Sequence, residues 1–169
     1  MGILNDLLRH VQTVDDGMQT GEFVRNAIIN HSDDIMELQR RQLFSGLASN
    51  GQEIRPYYSE DLKPSGYFRS KQTAANYSAW KQELDYPYTA KRNPDAPNLY
   101  INGKFHSELD VAFNPDTVEI YGSTSYAQKI IAKYGIATFG LMMANWMVVF
   151  VDRGAYNELM SEIKSKLYV

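Results

Sequence analysis

Cysteine is absent from this 169-residue chain. Disulfide staples, thiolate metal sites and cysteine nucleophiles are thereby excluded. A basic excess is lacking too: 17 Lys and Arg stand against 20 Asp and Glu, a formal net charge of −3. Dedicated nucleic-acid binders carry a surplus of positive charge. Long apolar runs are missing as well. The best candidate, residues 136–151, is short and is interrupted by Gly140 and Asn145, so it is expected to be buried in the protein, not to span a bilayer. The N-terminal MGILNDLLRHVQTV has no basic start and no small-residue cleavage site, and does not read as a secretory signal. Asp6 stands where a myristoylation signal needs Ser or Thr.

Catalytic and metal-binding patterns are equally scarce. The three histidines, His10, His31 and His106, share no i, i+4 spacing and no HExxH arrangement. His106-Ser107-Glu108 holds the residue types of a hydrolytic trio. Neighbours on a strand point to alternating faces, however, so His106 is expected to be an outward strand residue beside a turn. Asp15-Asp16, Asp33-Asp34 and Glu60-Asp61 read as solvated caps, because acid–base pairs must converge on one cleft. Gly122-Ser123-Thr124-Ser125 lies between a strand and a helix but lacks both the P-loop and the three-glycine pattern. It reads as a capping turn. No catalytic residue, metal ligand or cofactor is expected, and the chain is not expected to be an enzyme.

What remains is an ordinary globular composition, 44% hydrophobic and 22% charged, consistent with a single domain over 1–169. Residues 1–50 read as helices. Ile3, Leu4, Leu7, Leu8 and Val11 recur at helical spacing, and Asp15-Asp16-Gly17 is expected to break that helix. Phe23 and Ala27 mark a second. Ser32 caps a third, with Asp33 and Asp34 favoured by its dipole. That helix presents Ile35, Leu38, Gln42 (or Leu43) and Leu47 on one side and ends in the loop chemistry of residues 46–51.

Residues 52–97 read as an extended arm or loop in which aromatics replace aliphatics and five of the six prolines fall. Only Lys71 to Leu84 suits a helix, with Ala74, Tyr77, Trp80 (or Lys81) and Leu84 at compatible spacing. Disordered segments are poor in aromatics, so this one is expected to be ordered by packing on a neighbouring subunit or on the core. Its candidate oligomer-interface residues are Tyr57, Tyr58, Tyr67, Phe68, Tyr77, Trp80, Tyr86, Tyr88 and Arg92, since Tyr, Trp and Arg are enriched at interfaces.

Residues 98–141 read as a β-hairpin and a helix. Phe105, Leu109, Val111 and Phe113 alternate with polar neighbours, Asn114-Pro115-Asp116 turns, and Val118 and Ile120 repeat the pattern. A helix carrying Tyr126, Ile130, Ile131 and Tyr134 ends at Gly135. Residues 142–169 form a C-terminal helical segment, with a possible break at Gly154. Residues 145–151 suit a buried strand or a helix by periodicity, and helix is favoured.

The order of elements over 57–141 resembles a family of small tailed-bacteriophage virion morphogenesis proteins, the head–tail joining, neck and tail-completion proteins. The matching positions are Tyr58-Ser59, Tyr77 with Trp80-Lys81, Asn102-Gly103 with Phe105 and Ser107, Gly122-Ser123, Tyr126-Ala127 and Gly135. The resemblance implies an α+β fold, a small antiparallel sheet packed by helices, assembled as a homo-oligomeric ring. It implies a structural role at the head–tail connector or tail terminus, with portal, connector or tail-tube proteins as partners. The protein would be made in the host bacterial cytoplasm and reside in the virion. No membrane partner is expected, and no nucleic-acid contact beyond DNA passing through the ring. The alternative is a nucleic-acid- or protein-binding module of a mobile element using the Tyr, Arg and Lys residues of 55–92, because rings beside positive charge can hold single strands.

Overall fold

The computed structural model describes residues 3–89, 92–114, 117–123, 125 and 127–167, and the side chains from residue 8 onward. The fold is α+β: eight helices and one two-stranded antiparallel hairpin among the described residues. No single helix described is long and apolar enough to cross a membrane. The chain divides into two compact units. One comprises residues 1–35, 111–119 and 144–169; the other comprises 36–110 and 120–143.

In the first unit α1 (Ile3–Gln19), α2 (Glu22–Ile29) and α8 (Ala155–Leu167) pack on one another. The expected break at Asp15-Asp16-Gly17 does not occur; α1 runs on to Gln19. Gly17 serves contact there, not termination. A Cβ on Gly17 would lie 2.3 Å from Cζ of Phe23, whose ring is buried in the core. The reversal comes at Gly21, in the left-handed region at φ 68°, which glycine enters without steric cost. Asn26 and Asn30 of α2 donate to Glu162 (3.1 Å) and Glu158 (2.9 Å) of α8. Residues 145–151 are helical: α7 (Met143–Met147) passes into a π-helical turn at Val148–Asp152, with Val149 fully buried. Gly154 precedes α8 at φ 94°.

The second unit holds most of α3 (Ser32–Phe44), α4 (Lys71–Glu83), α5 (Lys104–Ser107) and α6 (Ala127–Tyr134), with the ends of β1 (Leu109–Phe113) and β2 (Val118–Gly122) away from the turn. Two buried glutamines of α3 hold the segment after α6. Gln39 Nε2 donates to Thr138 O at 3.0 Å, Gln42 Nε2 donates to Gly140 O at 2.9 Å, and Gln42 Oε1 accepts from Met142 N at 2.9 Å. The strand expected from Phe105 begins only at Leu109; residues 104–107 form one helical turn led by Gly103 at φ 79°. His106 is therefore buried rather than outward. On β2, Ile120 is buried while Glu119 and Tyr121 are exposed, as the alternation requires. Gly122 leaves room for Ala127, whose Cβ would lie 3.1 Å from a Cβ at residue 122. α6 ends at Tyr134 with Gly135 at φ 86°, as expected. Tyr126, expected to open α6, and Pro115-Asp116 of the turn lie outside the described residues.

Candidate functional site

Segment 52–97 carries the candidate interface residues. It is irregular apart from α4, but its ends are stitched together. Tyr58 N donates to Asp95 O at 3.0 Å, Ser59 N to Asp95 Oδ1 at 3.0 Å, and Asn93 Nδ2 to Glu53 at 3.1 Å. The helix begins where Ser70 and Thr73 form a reciprocal capping box, which satisfies two of the N–H groups a helix start leaves open.

Two aromatic clusters result. In the first, Tyr58, Phe68 and Ala74 are buried, with Leu62 and Tyr77 packed against them. Ring centroids lie 5.1 Å apart for Tyr58–Tyr77, 5.3 Å for Phe68–Tyr77 and 6.0 Å for Tyr58–Phe68. Such pairs add about 0.5–1.5 kcal/mol each beyond area burial. Burial raises the Tyr58 phenol well above the usual tyrosine range and raises Tyr77 as well. Tyr58 and Phe68, named as oligomer-interface candidates, pack with Ala74 and Leu62 in the core of their own chain, one of the two places where this segment is expected to pack. The cluster ends at the surface in Tyr67, 5.1 Å from Phe68 and 72% exposed, and Trp80, 5.5 Å from Tyr77 and 42% exposed. Lys133 pairs with buried Asp61 and lies 5.9 Å from the Tyr67 ring. Tyr57 is half-buried under the Arg55 guanidinium at 3.7 Å, and Arg55 also pairs with Glu60.

The second cluster surrounds Phe44 at the end of α3, whose ring meets Tyr86 (4.7 Å), Tyr88 (5.6 Å) and Tyr100 (6.0 Å). Arg92 stacks over Tyr86 (4.9 Å) and Phe44 (5.5 Å), and its Nη2 donates to Lys81 O (3.3 Å) and Tyr86 Oη (3.1 Å). Helical spacing left Trp80 or Lys81 as the inward residue, and the lysine is the one buried. Lys81 is 1% exposed and its Nζ donates to Tyr100 O. Burial, and then the Arg92 charge, push the Lys81 ammonium down to about 7. His106 Nε2 donates to Asn98 O at 3.0 Å, which leaves Nδ1 as the bare lone pair of the neutral ring. Burial pushes His106 down to about 4 against the help of that hydrogen bond. Sequence periodicity does not reveal this nest, since Lys81 looks like a surface residue; only its i+7 relation to Ala74 hints at it.

The acidic pairs do not converge on a cleft. Asp34 faces His31 (3.0 Å) and Arg153 (3.3 Å), while Asp61 is buried against Lys133, not solvated. Among the described residues no group of three or more His, Asp or Glu is placed to hold a metal ion. Lys91, beside Arg92, lies outside the described residues. Comparison with protein-family models, with curated proteins and with solved structures finds no match to this chain.

Proposed function

We propose that this chain is a structural subunit of a tailed-bacteriophage virion, forming a ring at the head–tail connector or the tail terminus and bridging portal or connector and tail. The observation that carries the reading is the pair Tyr67 and Trp80, two large exposed rings that stack on Phe68 and Tyr77 of the aromatic cluster. Exposed aromatics backed by packed neighbours have the composition of interface hot spots. A second and different apolar surface lies on α1, where Leu8, Val11 and Met18 are exposed on one side of the helix. A ring needs two unlike, complementary patches on each subunit. The element order over 57–141 supplies the phage assignment.

The binding-module alternative draws less support, because Arg55 and Arg92 lie against rings of their own chain. Light scattering and negative-stain microscopy of the purified chain test the proposal. Closed rings are expected, and Tyr67→Ala with Trp80→Ala should give folded monomers. Antibody against the chain should label the neck or tail end of phage particles. A chain that stays monomeric at high concentration and never co-purifies with particles contradicts the assignment. Strong binding of single-stranded DNA at low salt would favour the alternative.

A further inference from the structure

Burying an ammonium costs several kcal/mol unless a counter-charge and hydrogen bonds offset it. Lys81 has one hydrogen bond to a carbonyl and Arg92 stands near it, while Arg40 lies beside the neighbouring His106. Arg40 Nε is itself committed to His106 O at 2.8 Å. Among the described residues none of these three cations has a carboxylate within ion-pair distance. The same place holds three of the five buried side-chain polar atoms that lack a partner: Arg92 Nη1, Asn98 Nδ2 and His106 Nδ1. Asn98 is fully buried and His106 is 3% exposed. Buried polar groups almost always have a partner, whether protein, water or ion, and the two orphan donors here, Arg92 Nη1 and Asn98 Nδ2, call for an acceptor, whereas the His106 Nδ1 lone pair calls for a donor. Asn98 is tied in through its Oδ1, which accepts from Tyr100 N at 3.2 Å, so its amide nitrogen is the end left over.

We propose that this nest binds a compact oxyanion, the phosphate or carboxylate group of a small molecule, through Lys81 Nζ, Arg92 Nη1 and Asn98 Nδ2. The ligand must be anionic, because two of the three donors are cationic groups and the walls are the rings of Phe44, Tyr86 and Tyr100. It must be small, because Lys81 is shut from solvent. Entry on this proposal runs past Arg92, Tyr86 and Tyr88, which are half-buried. A bound anion restores the missing counter-charge. It therefore raises the affinity of Lys81 for its proton, and that of His106 beside it.

The inference is independent of ring assembly. Thermal unfolding of the full chain in phosphate, sulfate or acetate, against chloride at equal ionic strength, tests it. A ligand at ten times its Kd should raise the midpoint by about 3–6 °C. In parallel, 15N NMR should show the Lys81 ammonium titrating at higher pH when the anion is present. Lys81→Met keeps the buried stem and removes the charge, and Arg92→Gln removes the orphan Nη1; both should abolish the shift. Acetate matching phosphate assigns the site to carboxylates, and phosphate or sulfate alone assigns it to phosphate-type groups. No anion-specific shift, or a shift that survives in Lys81→Met, overturns the proposal.

Discussion

Gly17 is small because of a residue six positions later. Its Cα faces the Phe23 ring, so Gly17→Ala should destabilise the protein by about 1–3 kcal/mol through overpacking, outweighing the roughly 1 kcal/mol that alanine gains in a helix interior. Urea denaturation measures the loss, and adding Phe23→Leu should recover part of it. Lys81 governs a pH effect. Its proton is bound at about 7 in the folded protein against 10.5 when unfolded, so the unfolded chain holds more protons between those values. Stability should therefore fall as pH drops from about 10 to 7, by at most about 1.4 kcal/mol per pH unit, and show no further Lys81 effect below that. Lys81→Met should flatten this profile between pH 7 and 9.5. His106 acts likewise lower down, where stability is lost as pH falls from 6.5 through about 4.

At the scale of elements, the polar side of α3 matters as much as its apolar side. Gln42 satisfies both Gly140 O and Met142 N. Gln42→Leu keeps roughly the volume but leaves two part-buried backbone groups unpaired, each costing about 1 kcal/mol or more. A loss of at least about 2 kcal/mol in equilibrium unfolding is expected, larger than for substituting the exposed Arg41. Ser70→Ala removes one side of the α4 cap and should cost about 1 kcal/mol. The hairpin illustrates a different balance. Phe105 and Leu109 are both buried, and a four-residue separation satisfies a helical turn as readily as a strand. Gly103, with positive φ, tips the choice toward the turn.

For the whole molecule, stability is coupled to association if the exposed rings join subunits. The unfolding midpoint should then rise with protein concentration, as mass action requires. Tyr67→Ala with Trp80→Ala should lower this dependence; because both rings also pack on Phe68 and Tyr77, the midpoint of the dilute protein should fall modestly too, and that fall should not vary with concentration. Calorimetry at a series of concentrations separates the two effects.

Most elements were legible in the sequence. The amphipathic spacing of α2, α3 and α8, the helix window of α4, the alternation of β2 and the glycine stop at 135 all follow from local periodicity and backbone freedom. These are properties of neighbouring residues, so the sequence alone determined them, together with the α+β class and the lack of thiol chemistry. The candidate site was legible only as a list of rings. Tertiary structure decided that Tyr58 and Phe68 face inward while Tyr67 and Trp80 face out. It also decided that Lys81 is buried beside Arg92, that Gly17 makes room for Phe23, and that Gln39 and Gln42 bond to backbone about a hundred residues away. The physical reason is that the burial of an aromatic or an amphipathic lysine is set by what covers it. That cover comes from residues distant in sequence, brought close only when the chain folds.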